Sequence, residues 1–359
     1  MSRRIILHIG PPKTGTSSLQ ETLFAAQDEL MAQGVAYPTL GRHDRMPRAA
    51  GHHGLPAVTQ IGAPLPAPLL EWVGDLPAGH SVVLSSEDFS HLSAEQVAHL
   101  AAQLPGAAVE VVYYARRWDR LLPSVWQELV KHGASCSYPV YANLQTAAPR
   151  ASVYLNYAQV LDRWVAGFGM ASIRLFSFDN AIMEMGDIVT HFCRAVLGDV
   201  TVSPREDDGQ NHSMEPVDAE ILRQLNRLTF GADWGDASVR QRLWQRAFGL
   251  EEEIVTLERV LTPYLRRCRP CAPLVLHQLE QEMLARYRDS LENPTPEGFL
   301  FKREDFREAA FVDSAHLLMS DSPALIRDLH RKLDLPLAAV AGASPAADPE
   351  SRPAAQSKS

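Results

Sequence analysis

The chain has 359 residues, of which 46% are hydrophobic, and this is enough to bury a large core in one α/β domain or in one domain with helical additions. Its formal net charge of −9 argues against broad contact with nucleic acid or with an anionic membrane surface, because such contact needs many clustered Lys and Arg side chains. The first residues lack the apolar core of a secretory signal, and no stretch approaches the roughly 20 apolar residues of a membrane helix. Four cysteines do not form a disulfide framework in so long a chain. We therefore expect a cytoplasmic protein without stable membrane insertion.

The chain opens with the pattern of a strand, a loop and a helix. Residues 3–9 cluster apolar side chains as a buried strand does, a loop of Gly, Pro and Thr follows, and Leu19 and Leu23 mark one face of a helix. Residues from about 37 to 76 are rich in Pro, Gly and His and show little sustained periodicity, so we predict irregular structure there. Long loops of this kind are uncommon unless they carry function, and we expect substrate contacts in this one.

Three further strands are predicted at 81–85, 109–115 and 172–178. A helix from about Ser93 follows the first of them, and a helix over 119–131 follows the second. Strands that alternate with helices indicate βαβ units, which place helices on both faces of the sheet. The predicted fold class is therefore α/β, with a mostly parallel central sheet flanked by helices and with a helical C-terminal portion.

The C-terminal part of the sequence changes in composition twice. Residues 216–287 are almost wholly of helical pattern, with Ile221, Leu222, Leu225 and Leu228 on one stripe. From about residue 338 the chain is Ala, Pro and Ser with scattered charge. This segment has too little apolar surface for its burial to offset the conformational entropy that the chain would lose on folding. We predict a main domain over 1–310, a helical extension over 311–337 and a disordered tail over 338–359.

The segment that joins the first strand to the first helix has the side chains of an anion site. Backbone N–H groups at a helix start favour negative charge, a glycine lets the main chain approach an anion closely, and a lysine and hydroxyl groups add donors. We predict that a phosphate or sulfate group binds to Lys13, Thr14, Gly15, Thr16, Ser17 and Ser18. The lysine precedes the Gly-Thr pair, so the order differs from the usual nucleoside triphosphate loop.

Two further polar side chains follow the predicted strand 109–115. Arg116 stands at the end of that strand, and Ser124 lies eight residues later in the next predicted helix. A forked guanidinium and a hydroxyl one or two helical turns further on can converge on one phosphate. Ligands of open α/β sheets bind beyond the carboxyl ends of the strands, so we expect this pair and the first loop at the same edge.

Together the two segments resemble the family of sulfotransferases that use 3′-phosphoadenosine 5′-phosphosulfate (PAPS), in its bacterial cytosolic form with a P-loop-like fold. The resemblance implies that Lys13 contacts the bridging oxygen, that Thr16 and Ser17 hold the 5′-phosphate, and that Arg116 and Ser124 bind the 3′-phosphate. It further implies PAPS as co-substrate, no metal, and transfer of the sulfuryl group to a hydroxyl or amine. The acceptor would be a small molecule, a lipid or a saccharide that contacts the loop 37–76.

Two segments of the sequence offer candidates for the general base that removes the acceptor proton. Glu87 follows the predicted strand 81–85, where the resemblance places the base, and Asp88 is the alternative because the offset is ambiguous by one residue. His53, together with His52, lies in the loop ahead of this strand, where a neutral imidazole would serve as a base or as a donor to substrate.

Two other functions are alternatives. A P-loop kinase would need a lysine after the second glycine and a carboxylate for magnesium, and the order of the loop residues speaks against it. A catalytically silent PAPS-binding protein would keep both anion-binding segments without the base. Cys268 and Cys271 form a Cys-x-x-Cys pair, but no second pair completes a zinc site, and we interpret them as ordinary thiols in a helical region.

Overall fold

The computed structural model divides the chain into two structural units. The first consists of Met1–Glu128, Ser137–Pro216 and Leu265–Phe311, and the second of Leu129–Cys136, Val217–Tyr264 and Val312–Ser359. The residues whose structure is described are 3–42, 50–203, 214–231, 237–246, 249–268, 273–294, 309–312 and 322–338. The predicted disordered tail lies outside the described residues from position 339 onward.

Five parallel strands form the central sheet of the first unit. They are β1 (Arg4–His8), β2 (Val35–Ala36), β3 (Ser81–Ser85), β4 (Ala108–Ala115) and β5 (Ile173–Ser177). The order across the sheet is β2-β3-β1-β4-β5, and all neighbouring strands run in the same direction. The predicted α/β fold with a parallel sheet flanked by helices is confirmed. The carboxyl ends of β3, β1 and β4 therefore lie side by side at one edge of the sheet.

Helices of the first unit flank this sheet, and the second unit contains further helices. In chain order, the helices of the described residues are α1 (Thr16–Ala25), α2 (Gln27–Ala32), α3 (Gly54–Gln60), α4 (Ala67–Asp75), α5 (Ala94–Ala102), α6 (Trp118–Lys131), α7 (Tyr138–Ala147), α8 (Tyr157–Phe168), α9 (Phe178–Met185), α10 (Ile188–His191), α11 (Pro216–Phe230), α12 (Ser238–Arg246), α13 (Glu251–Leu261), α14 (Pro273–Tyr287) and α15 (Ser322–Lys332). A 3₁₀ turn, Glu87–His91, begins two residues after the end of β3.

Helix α1 fixes the position of the loop that precedes it. Its buried positions Thr16, Leu19, Gln20 and Leu23 recur at helical spacing and form one face. Leu19 and Leu23 share an apolar core with Ile6 of β1. Full burial of a leucine side chain stabilises the fold by about 1.5–3 kcal/mol. The start of α1 is therefore anchored relative to the end of β1.

The segment 37–76, predicted to be irregular, contains helices α3 and α4, and the prediction is wrong for these two stretches. Helix α3 buries Leu55, and α4 buries Leu69. Proline in the first turn of α4 is tolerated because the N–H group it lacks would have no helical partner. Each helix buries too few apolar side chains to produce a sustained periodicity, which explains why the sequence pattern missed both.

The stretch 216–287 is mostly helical, as predicted, and Ile221, Leu222 and Leu225 are buried on α11. It also contains a strand, β6 (Leu265–Cys268), which forms a separate two-stranded sheet with β7 (Ala309–Val312). Cys268 therefore ends a strand rather than lying in a helix, and its partner in the Cys-x-x-Cys pair lies outside the described residues.

Within the described part of the chain, no helix has both the length and the apolar character needed to cross a membrane.

Candidate active site

The loop between β1 and α1 has the backbone geometry of an anion site. Gly15, at the N-cap of α1, has a left-handed backbone with φ 71°, and no described side chain caps this helix start. The first N–H groups of α1 are therefore directed toward the loop without a side-chain acceptor. Ser17 and Ser18 are exposed on the first turn. The Thr14 hydroxyl is buried and donates to the Pro11 carbonyl at 2.6 Å, so it braces the loop from within.

Lys13 is held in a strained backbone conformation at the centre of this loop. Its φ is 67°, in the left-handed region that costs a residue with a side chain about 1–3 kcal/mol. The Lys13 carbonyl accepts a hydrogen bond from Arg116 Nη1. Its amine lies 3.2 Å from Glu128 Oε2 on α6, with both side chains about one-third exposed. The backbone and the charged end of Lys13 are thus each fixed by a separate contact.

Arg116 connects the two predicted anion-binding segments. It follows β4, which pairs directly with β1, and its hydrogen bond to the Lys13 carbonyl joins the two strand ends. The guanidinium lies over the Phe178 ring, 5.2 Å from its centroid, and its Nε is buried without a hydrogen-bond partner among the described residues. Burial lowers the pKa of Arg116 from its usual value. A buried guanidinium with an unsatisfied donor is suited to receive an anion.

Ser124 lies on the same face of α6 as Glu128, because the two residues are four positions apart in the helix.

The start of α6 is held by Asp179, whose carboxylate accepts hydrogen bonds from the Arg117 N–H and from Arg120 Nη1, each at 2.7 Å. Sequence analysis did not single out Asp179. Its role depends on the packing of α9 beside α6, which no local pattern records.

Glu87 lies beside the loop between β1 and α1. Its Oε2 accepts a hydrogen bond of 3.0 Å from Gln20 Nε2, and the same amide lies 3.2 Å from Ser85 Oγ. Gly10, with φ 89°, approaches so closely that a Cβ built on it would lie 3.0 Å from the Glu87 Cα atom. Gln20 was missed by the sequence analysis. The available signal was a polar side chain on the buried face of α1, among positions filled by Leu19 and Leu23.

His53 belongs to the same cluster of polar side chains as Gln20, Ser85 and Glu87. Its Nδ1 lies 2.8 Å from Asp88 Oδ2 and 3.0 Å from Ser86 Oγ. A Cβ built on Gly51 would come within 2.6 Å of Gln20 Oε1 and within 2.7 Å of His53 Nε2, so both groups crowd the same glycine. Nδ1 is thus directed at Asp88, and Nε2 faces Gly51.

His52 has a different environment from its neighbour. Its side chain is fully buried, the Ser85 N–H donates to Nδ1 at 3.0 Å, and Nε2 lies 2.9 Å from the Pro38 carbonyl. Burial lowers the pKa of His52 to about 4. Both ring nitrogens are thus used within the protein, and this neutral imidazole joins the loop 37–76 to β3.

The pKa of His53 is raised above its ordinary value of 6.5, chiefly by the hydrogen bond to the Asp88 carboxylate and against the opposing effect of partial burial. Because the folded-state pKa is the higher one, this pair stabilises the fold fully below about pH 6.5, and the contribution is lost as the pH rises through the folded-state value.

Asp88→Asn is expected to lower the pKa of His53 toward its ordinary value, because it removes the hydrogen-bonded negative charge that favours the imidazolium. NMR titration of the imidazole signals measures this directly. Glu95→Gln, which removes an exposed carboxylate on α5, is the matched control and should leave His53 unchanged. An unaltered His53 pKa in Asp88→Asn would show that the two side chains are not paired in solution.

Comparisons with known proteins found a similar solved structure. No protein-family model and no curated protein matches the chain. The crystal structure of a sulfotransferase from Alicyclobacillus acidocaldarius is similar at 16% identity and a TM-score of 0.36, over 73% of this chain and 97% of that one. Among the described residues, no cluster of three or more His, Cys, Asp or Glu side chains could hold a metal ion.

Proposed function

We propose that this protein is a sulfotransferase that transfers the sulfuryl group of PAPS to a hydroxyl or amine of a small-molecule, lipid or saccharide acceptor. The observation that supports this most is the hydrogen bond from Arg116 to the Lys13 carbonyl. It brings together two segments that each resemble a PAPS-binding element, at the carboxyl edge of a parallel sheet. A nucleotide with phosphates at both its 3′ and 5′ positions needs two such sites close together.

The described residues provide donors for both ends of this nucleotide. In the proposal, the Lys13 amine, the N–H groups at the start of α1 and the Ser17 hydroxyl hold the 5′-phosphosulfate. Arg116 and Ser124 hold the 3′-phosphate, and the unsatisfied Nε of Arg116 adds donor capacity there. The positive charge is local, which fits a chain whose net charge is −9.

Glu87 is proposed as the general base. Its carboxylate lies next to Gly10 of the phosphate loop and is oriented by Gln20. As the acceptor oxygen or nitrogen bonds to sulfur, the bond from sulfur to the bridging phosphate oxygen breaks and Glu87 takes the acceptor proton. The products are the sulfated acceptor and adenosine 3′,5′-bisphosphate. His53, oriented by Asp88, is the alternative base in the same cluster.

Transfer of radiolabelled sulfate from PAPS to a panel of saccharides, lipids, phenols and amines tests the proposed function. The expected result is a labelled product from at least one acceptor class, together with adenosine 3′,5′-bisphosphate in equal amount. Tight binding of PAPS without transfer to any class would instead support a catalytically silent PAPS-binding protein. Failure to bind PAPS would contradict the proposal.

Arg116→Ala is expected to weaken the binding of adenosine 3′,5′-bisphosphate at least about tenfold, the value of a charge-assisted hydrogen bond to phosphate. Ser124→Ala should have the same effect to a smaller degree and leaves the Lys13 carbonyl contact intact. Arg150→Ala removes an equal charge from an exposed ion pair with Glu282 and should not change the affinity. Isothermal titration calorimetry on the three variants measures the effect, and unchanged affinity in Arg116→Ala would exclude this arginine from the nucleotide site.

A further inference from the structure

A carboxylate occupies the anion site beside the residue proposed to hold the 5′-phosphosulfate. Glu128 Oε2 lies 3.2 Å from the Lys13 amine. The backbone of Lys13 is fixed by its left-handed conformation and by the hydrogen bond from Arg116 to its carbonyl. The loop thus sets the position of the Lys13 backbone, and from there its side chain extends to Glu128 of α6.

Glu128 also lies on the α6 face that carries Ser124, one helical turn away. The side chains of Lys13 and Glu128 are 30% and 35% exposed, so solvent screens the pair only in part. A negative charge at this position opposes the approach of a 5′-phosphate and competes with it for the lysine. The carboxylate of Glu128 therefore weakens the binding of an anion to Lys13.

We infer that Glu128 is a specificity-determining residue that holds Lys13 while the nucleotide is absent. The inference rests on the proposed function. A bound nucleotide must displace the Glu128 carboxylate from the Lys13 amine. Only ligands whose 5′ group carries enough negative charge therefore bind to the lysine. A nucleotide with a 3′-phosphate and no 5′ group does not reach Lys13, so it does not compete with Glu128 for the amine and meets this carboxylate only through a screened repulsion across one helical turn.

A different role for Glu128 predicts the opposite change in nucleotide affinity. If Glu128 served to orient Lys13 toward the 5′ group, its loss would weaken nucleotide binding. If it holds Lys13 against the 5′ group, its loss strengthens binding. The sign of one change in affinity therefore distinguishes the two.

Titration of Glu128→Gln with adenosine 3′,5′-bisphosphate and with adenosine 3′-monophosphate tests the inference. The amide has the size of the carboxylate, so folding is preserved, and a thermal melt checks this. The bisphosphate is expected to bind about five- to tenfold more tightly than to the wild type, the effect of removing one partly screened charge a few ångströms away. The affinity for the 3′-monophosphate should stay within about twofold of the wild-type value. Glu184→Gln, which removes an exposed carboxylate on α9, is the charge-matched control.

Three outcomes would overturn the inference. Unchanged or weaker binding of the bisphosphate in Glu128→Gln would show that the carboxylate does not compete for Lys13. Equal tightening of both nucleotides, or the same tightening in Glu184→Gln, would show a general effect of net charge. If the wild type bound neither nucleotide, the proposed function would fail and the inference with it, whereas normal wild-type binding with no effect of Glu128→Gln removes the inference alone.

Discussion

Lys13→Ala is expected to reduce kcat for sulfuryl transfer from PAPS by at least about 10²- to 10³-fold, the range for loss of one donor that stabilises charge in a transition state. The lysine is the proposed partner of the bridging oxygen, on which negative charge builds as the bond to sulfur breaks. Alanine keeps the Cβ atom and the same left-handed backbone, so the substitution removes the amine without releasing the strain at this position.

The control for this variant is Lys332→Ala. Lys332 lies on α15 and pairs with Glu253 and Asp328 at an exposed site, where ion pairs contribute little. It therefore tests the loss of one positive charge outside the loop. Both variants should melt close to the wild-type temperature. Wild-type turnover in a folded Lys13→Ala protein would show that the loop does not bind the phosphosulfate.

Glu87→Gln is expected to lower kcat by about 10²- to 10⁴-fold while nucleotide affinity is retained, because a positioned general base contributes this much. Glutamine keeps the shape of the side chain and the contact with Gln20, and it removes only the capacity to take a proton. Steady-state kinetics with an acceptor from the transfer panel, together with calorimetry on adenosine 3′,5′-bisphosphate, measures both quantities. Glu95→Gln, an exposed carboxylate on α5, is the matched control.

His53→Gln distinguishes the two candidate bases. If Glu87 is the base, His53→Gln should leave most of the turnover. A large loss in His53→Gln with little change in Glu87→Gln would assign proton removal to the imidazole. In that case kcat would rise with pH through the raised pKa of His53, because only the neutral ring accepts a proton.

The strands of the central sheet were largely predictable because most are continuous apolar runs. The predicted strands 3–9, 81–85, 109–115 and 172–178 agree with the structure to within one residue at each end. Strand β2 was missed because it has two residues and is defined by its pairing with β3, which a sequence window does not contain. Periodicity identifies an element only when it buries enough side chains in a regular pattern.

The candidate site was predictable where one local segment carries several donor groups. Lys13 and Arg116 were chosen from the loop and the strand end that contain them, and the structure places these two segments in contact. Gln20, Gly51 and Glu128 were not found, because each matters through a contact with a residue far away in the sequence. Whether Glu87 or His53 removes the proton was also beyond the sequence, since it depends on which polar groups surround each side chain.

Calorimetric titration of the wild-type protein with adenosine 3′,5′-bisphosphate and with adenosine 5′-monophosphate tests the assignment of PAPS most directly. The two ligands differ only in the 3′-phosphate, the group assigned to Arg116 and Ser124. The bisphosphate is expected to bind at least about tenfold more tightly, as one charge-assisted contact to phosphate requires. Equal affinity for the two nucleotides would contradict the proposed 3′-phosphate site, and with it the proposal that PAPS is the sulfuryl donor.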